Sequence, residues 1–532
     1  MSAPPEAQTA AGRVAGDSVN GLHVFRGVPF ARVPGRFKPP VPLDPWPGVR
    51  DATEFGPAAA QNRDRLEAIW GERLDPGSED CLTVNVWTPG LDGRRPVLVL
   101  IHGGAFIIGS GRWPWMDGTR LARRGDLVVV TFNYRVGVFG YLDLPEYPGS
   151  GNVGLLDQVA ALEWVRDNIA AFGGDPAAVT VLGQSAGAIS LCALLATPRA
   201  RGLIPRAWCM SGAGNFVRTP EYAARITAKV QKLAGGDLAA VPTARLSEIQ
   251  HQLMNRPDFL GELPFGPVVD GHVLPAPPLH AIAHGAAADV PLVAGTTREE
   301  VRLWVLYNPM LNWIPPAALR KWLRSLGLRF GEIDALYRAA YPLANKPQLS
   351  MAIATDALFW MPTVRLLEAQ ARHRPDTRTY LFAWQTEANG GQLGACHAAD
   401  MPFLFGNLDA PGARRLVGSA PGEAAVSDTM VNALLAFVRT GDPNHAGIPE
   451  WPPYRPEERS TLVFDKKCEV ISDPHPDVRA AWAGLPLDGV RPQTTDLPRV
   501  RDVQMYFFWW LLFLGGGMLT LIVATGIALL LR

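Results

Sequence analysis

The sequence predicts an α/β fold: a central, mostly parallel sheet flanked by helices, followed by a C-terminal transmembrane helix. Three observations carry that expectation, namely short apolar runs ending in glycine turns, helical apolar spacing between them, and a charge-free stretch at the far end. Pro96-Val97-Leu98-Val99-Leu100-Ile101 reads as a buried strand running into a glycine loop, and Leu127 to Phe132 as a second, because continuous branched apolar runs suit strands covered on both faces. Between Leu155 and Ala171 the apolar positions Leu156, Val159, Ala160, Leu162, Val165 and Ile169 recur at helical spacing, and Val179 to Leu182 follows as a third strand. Strand, helix, strand in succession implies crossover connections and therefore parallel pairing. Beyond about residue 215 helical patterns and prolines dominate. The clearest helical stretch is Ala352 to Ala371, which Pro362, lacking an N–H, is expected to kink or divide.

The 532 residues carry 50 Lys plus Arg against 50 Asp plus Glu, neither the basic footprint of a nucleic-acid binder nor an acidic tail, so no nucleic-acid partner is expected. The five cysteines, Cys81, Cys192, Cys209, Cys396 and Cys468, are odd in number and contain no CxxC pair, so a disulfide framework is not expected. Met1 to Gly21 lacks the charged and apolar regions of a secretory signal. Both features predict a cytoplasmic body. Met505 to Leu531 holds no charge, and at about 1.5 Å per helical residue it reaches roughly 40 Å, enough to cross a hydrocarbon core of about 30 Å with some tilt. Phe507-Phe508-Trp509-Trp510 suits an interfacial aromatic belt, and Arg499 and Arg501 before it favour the cytoplasmic side. An apolar terminal helix docked in a protein groove is the alternative. The expected organisation is a body over 1–484, a linker over 485–503 marked by Pro486, Pro492 and Pro498, and a single-pass anchor over 504–531, with membrane contact through 505–531.

The strand Val179 to Leu182 runs into Gly183-Gln184-Ser185-Ala186-Gly187, and Ala188 to Leu195 continues as a helix. Strand, turn and helix are the setting of a nucleophile elbow: the flanking glycines permit a sharp turn while the serine projects its hydroxyl above the sheet. A serine hydroxyl alone is a weak nucleophile and needs a base, an orienting acid and donors for the oxyanion. By itself such a pentapeptide is also an ordinary turn.

Longer stretches around it resemble the type B carboxylesterases, the α/β-hydrolase family that includes cholinesterases and bacterial para-nitrobenzyl esterases. Phe172-Gly173-Gly174-Asp175-Pro176 through Gly187 fits the family's nucleophile signature, and Glu79-Asp80-Cys81-Leu82-Thr83-Val84-Asn85-Val86-Trp87-Thr88-Pro89 fits a second. Asn133-Tyr134-Arg135-Val136-Gly137 and Gly151-Asn152-Val153-Gly154-Leu155-Leu156-Asp157-Gln158 support them, and the match runs from about Gly12 to about Asp473. The resemblance implies an α/β-hydrolase fold and a serine hydrolase that cleaves carboxylic esters through an acyl-enzyme. In that reading Ser185 is the nucleophile. His397, whose spacing to Phe405-Gly406 is similar to the family's histidine loop, is the base. The acid falls in Gly295-Thr296-Thr297-Arg298-Glu299-Glu300-Val301, where alignment on Gly295 selects Glu300 and leaves Glu299 as an exposed neighbour; Val301 replaces the family's usual Gly. His102-Gly103-Gly104-Ala105-Phe106 resembles the oxyanion loop, with N–H donors from Gly104 and Ala105 and a third from Ala186. Ser211 matches a family serine near the acid, as an outer-layer group or a structural hydroxyl. Arg36 is expected to pair with Glu79, and Arg135 with Asp157. The family cysteine that usually bonds to Cys81 is replaced by alanines in Ala58-Ala59-Ala60, so Cys81 is expected to be free.

The same resemblance puts Trp70 and the stretch Leu260 to Phe265 near the substrate pocket. Gly261 and Leu263 stand where acetyl-selective relatives carry aromatics, which implies a roomier acyl pocket and a moderately apolar small-molecule ester. Trp304 and Tyr307 are equally core or pocket. No metal or organic cofactor is expected, since a triad supplies its own nucleophile and no ligand cluster is visible. Amide or carbamate hydrolysis and acyl transfer use the same triad, and some relatives are adhesion modules that have lost the serine.

Overall fold

Branched apolar segments separated by glycine turns pair here into one large sheet. The computed structural model describes residues 3–63, 69, 71, 77–254, 263–307 and 330–483. Its strands are β1 (Glu6–Gln8), β2 (Arg13–Ala15), β3 (Asp17–Val19), β4 (Leu22–Pro29), β5 (Val49–Asp51), β6 (Thr83–Thr88), β7 (Arg95–Ile101), β8 (Val128–Phe132), β9 (Gly174–Gln184), β10 (Arg206–Met210), β11 (Leu292–Thr297), β12 (Arg378–Phe382), β13 (Thr461–Phe464) and β14 (Glu469–Ile471). The order across the main sheet is β14-β13-β12-β11-β10-β9-β7-β8-β6-β4-β3, and β1, β2 and β5 form a small separate sheet. Pairing is parallel from β13 through β8 and antiparallel at both margins. The mostly parallel sheet expected from the sequence is therefore present.

Every residue of β8 and of β11 is buried, the reason their sequences read as continuous apolar runs. Along β7 the side chains alternate between two cores: Val97, Val99 and Ile101 join one, Leu98 and Leu100 the other. The strand read as Val179 to Leu182 is the centre of the longer β9, and the helix read from Leu155 is Val153–Asn168 with a 3₁₀ turn Ile169–Phe172.

The segment from Ala352 to Ala371 is helical and divided next to Pro362, as expected. It divides into a helix Lys346–Thr355, a π-helical turn Asp356–Trp360 and a helix Met361–Ala371. The irregularity precedes Pro362 because proline sits comfortably in the first turn of the last helix, where its missing N–H has no intrahelical role. The Leu358 carbonyl, four residues back, accepts Asn215 Nδ2 at 2.9 Å instead.

Both ion pairs expected from the resemblance form. Arg135 is 2% exposed at its side chain and Asp157 0%, with Nη2–Oδ1 2.7 Å and Nε–Oδ2 2.8 Å, and the Arg135 N–H reaches the same carboxylate at 3.0 Å. Arg36 Nε meets Glu79 Oε2 at 2.8 Å. Such pairs fix the segments they join more than they stabilise the fold. Cys81 is a buried free thiol. Among the described residues no helix is long and apolar enough to cross a membrane. The expected linker 485–503 and transmembrane helix 504–531 lie outside the described residues, as do Trp70 and Gly261.

Candidate active site

Parallel α/β sheets place their functional loops beyond the carboxyl ends of the strands. Here β7 ends at Ile101, paired with Gly183 of β9, and Gln184 pairs with Met210 of β10, so the loops that follow β7, β9 and β10 open on one edge. Gly295 of β11 pairs with Met210, which brings the Glu299-Glu300 segment to the same edge.

Ser185 links β9 to the helix Ala186–Leu195 with φ 57° and ψ −123°, a conformation non-glycine residues rarely adopt. Its N–H donates to Met210 O at 2.8 Å, and its carbonyl accepts from Ile189 at 2.9 Å. The flanking glycines are steric necessities: a Cβ on Gly183 would sit 2.3 Å from Gly187 O, and one on Gly187 2.1 Å from Ile101 O.

The glycine loop after β7 is left-handed at Gly104, Ala105 and Phe106, with φ of 119°, 56° and 64°. Its shape is held from outside by Tyr134 Oη donating to His102 O at 2.9 Å and by Gln61, which accepts the Gly109 N–H at 2.9 Å. The buried His102 ring stacks on Tyr134, 4.4 Å between centroids, and donates Nδ1–H to Gly103 O at 2.8 Å. Burial lowers its pKa to about 4, so it stays neutral at neutral pH. A Cβ built on Gly103 would lie 3.1 Å from Ser185 Cβ, so the loop abuts the Ser185 turn. The Gly104 and Ala105 N–H groups make no backbone hydrogen bond among the described residues. Ala186, as the first helical residue, has an N–H without an intrahelical acceptor.

Glu300, not Glu299, faces the imidazole. His397 Nδ1 lies 2.5 Å from Glu300 Oε2, with the two residues 3% and 0% exposed. Glu300 Oε1 accepts the Thr297 N–H at 2.8 Å, and the His397 N–H donates to Glu300 O at 3.2 Å. Valine in place of the family's glycine at position 301 is accommodated because the backbone there does not have positive φ, and its N–H donates to Thr355 Oγ1 at 3.3 Å. His397 Nε2 points to the Ser185 turn, where Gln184 Nε2 donates to it at 3.2 Å. Ser185 Oγ makes no hydrogen bond among the described residues; such contacts often tighten only with substrate bound.

Two aromatic rings wall the imidazole. Trp304 and Phe359 stack on each other at 5.8 Å and stand 4.8 and 5.0 Å from the His397 ring. Trp304 was open between core and pocket on sequence alone. Phe359 carried no signal, since it reaches the site through the π-helical turn. Leu263 is half-buried against the core, and its carbonyl accepts the Arg218 guanidinium. Ser211 is wholly buried, its N–H donating to Gly295 O at 2.8 Å and its Oγ without a partner among the described residues.

A second carboxylate lies close behind. Asp400, fully buried, accepts a hydrogen bond from Tyr380 Oη at 3.1 Å on Oδ2, and its Oδ1 has no partner among the described residues. Loss of hydration and then the Glu300 charge raise its pKa from 3.8 to about 7. A carboxyl whose folded pKa is raised contributes stability that is complete below pH 3.8 and lost as pH rises through about 7, a change of roughly 4 kcal/mol. Asp400→Asn is therefore expected to gain on wild type as pH climbs from about 5 to about 8 in urea unfolding. Stability curves that stay parallel over that range would refute the assignment.

A serine elbow, an oriented imidazole and a left-handed glycine loop sharing the carboxyl edge of a parallel sheet put the chain in the α/β-hydrolase class of ester-cleaving enzymes. Residues 3–478 match the model of the carboxylesterase family, and the chain belongs to that family. It is 39% identical over 488 residues to a para-nitrobenzyl esterase of Bacillus subtilis (strain 168), covering 88% of this chain and 97% of that one. It is 38% identical over 493 residues to a phenmedipham hydrolase of Pseudarthrobacter oxydans, covering 89% and 98%. A solved carboxylesterase structure from Geobacillus stearothermophilus superimposes with a TM-score of 0.82 at 40% identity, over 90% of this chain and 99% of that one. The protein is thus a carboxylesterase.

Proposed function

We propose that the protein hydrolyses small, moderately apolar carboxylic esters through an acyl-enzyme on Ser185, and that residues 505–531 tether it to a membrane. The observation that carries the first part is the buried His397–Glu300 pair, whose other ring nitrogen, Nε2, is turned to the Ser185 elbow. With Nδ1–H held by Glu300, His397 Nε2 takes the Ser185 proton as Oγ attacks the ester carbonyl. The N–H groups of Gly104, Ala105 and Ala186 receive the developing oxyanion. Nε2 then returns the proton to the leaving alcohol, and water repeats the sequence to free the acid and regenerate the serine. For this the Gln184 amide must yield its place on Nε2 to the serine hydroxyl.

By the sequence resemblance alone, Gly261 and Leu263 imply a roomy acyl side, and Trp70 falls near the region that lines the pocket in relatives. A panel of para-nitrophenyl esters of increasing acyl length, run beside the matching anilides and a fluorophosphonate label, tests the chemistry. Ester turnover well above anilide turnover is expected, with longer acyl chains accepted. Absence of both ester hydrolysis and labelling would sink the proposal.

The tether rests on the uncharged run after Met505 and its aromatic start, and Arg499 and Arg501 favour the cytoplasmic side for the body. Removal of the residues after Arg501 is expected to release the activity from the membrane fraction. Retention there after truncation would disprove the anchor.

A further inference from the structure

We propose that Glu299 is a positioning residue: its carboxylate latches the segment that carries His397, and turnover depends on the latch. The inference builds on the esterase reading of the site. Glu299 and Ala395 exchange two hydrogen bonds, the Glu299 N–H donating to Ala395 O at 2.9 Å and the Ala395 N–H donating to Glu299 Oε2 at 2.9 Å. Two residues further along, the His397 N–H donates to Glu300 O. The acid and base segments are thereby stitched together at the positions that flank the His397–Glu300 contact.

The remaining capacity of the carboxylate is spent on fixing itself. Gln385 Nε2 donates to Oε2 at 2.9 Å, and Arg302 Nη2 meets Oε1 at 2.5 Å, with the Glu299 side chain 19% exposed. Donors thus arrive from the loop beyond β12, from the segment before His397 and from the start of the helix after Glu300. Gly394 shows how closely the chain is folded onto this group: its φ is 56°, and a Cβ there would lie 2.0 Å from Glu299 Oε2 and 2.7 Å from Arg302 Nη1. Glu299 does not touch the imidazole. Its effect passes through the backbone of residues 395–397, which sets where Nδ1 meets Glu300 and where Nε2 faces the elbow. Displacement of a reacting group by about 1 Å costs on the order of a hundredfold in rate, so losing such a support is expected to appear in kcat.

The test uses the full chain and para-nitrophenyl ester turnover, with active sites counted by fluorophosphonate titration and folding followed by thermal melting. Glu299→Ala is expected to lower kcat per titratable site about thirtyfold, with KM within about threefold of wild type. Glu299→Gln keeps an oxygen for the Ala395 N–H and is expected to recover most of that loss. Glu299→Asp, one methylene short of Ala395, is expected to behave like alanine, and it decides the matter with Gln if the alanine variant does not fold. A kcat within twofold of wild type in Ala or Asp, or Gln as poor as Asp, would overturn the latch. Inactive, unlabelled wild type would overturn the esterase reading itself, whereas active wild type with a flat Glu299 series overturns only the latch.

Discussion

Ser185→Ala is expected to lower kcat about a million-fold and to abolish covalent fluorophosphonate labelling while leaving the protein folded. The size of the effect follows from the way a nucleophile and its base act as a unit: without Oγ, proton removal by His397 has no purpose. What survives is the contribution of the glycine loop and of substrate binding. Stability moves the other way. Ser185 holds φ 57° and ψ −123°, and a residue without a Cβ adopts that geometry more cheaply. Ser185→Gly should therefore be as inactive as Ser185→Ala and more resistant to unfolding, by about 1 kcal/mol. Urea unfolding of the three proteins side by side, with the phosphonate label as activity readout, checks both halves. Residual turnover above about a thousandth of wild type would show that another group supplies the nucleophile.

The elbow was legible in the sequence because it is local. Strand, Gly183, Ser185, Gly187 and helix follow each other along the chain, and each has a steric reason to be where it is. The His397–Glu300 pair is the opposite case. Glu300 and His397 are 97 residues apart and become partners only because β11 and β12 pair in parallel, so resemblance, not spacing, pointed to them. Resemblance also left Glu299 as an exposed neighbour; its side chain instead binds the segment before His397, a contact that no periodicity encodes. Phe359 was out of reach for a different reason. A regular helix through Pro362 sets a different phase from the π-helical turn that lays the ring beside the imidazole. Local rules fix single elements, whereas the site depends on where separate elements dock.

The sharpest separation of acid from latch comes from Glu300→Gln, expected to lower kcat about ten-thousandfold with little change in KM. Glu300 accepts on both oxygens, from Thr297 N–H at 2.8 Å on Oε1 and from His397 Nδ1 at 2.5 Å on Oε2. A glutamine has one oxygen to offer. If it faces Thr297, its NH₂ confronts Nδ1, which must then become the acceptor, and the proton moves to Nε2, where it blocks removal of the serine proton. If it faces His397 the tautomer is right, but two donors confront each other at Thr297 in a fully buried site, at a cost of about 1–3 kcal/mol, and the imidazolium formed in the reaction loses its countercharge. Each orientation harms a different step, so the loss should fall on kcat rather than on binding. Glu299→Gln, which keeps its acceptor for Ala395, should lose far less. A larger loss at 299 than at 300 would transfer the role of acid to Glu299 and, with it, reverse the assignment of which carboxylate orients His397.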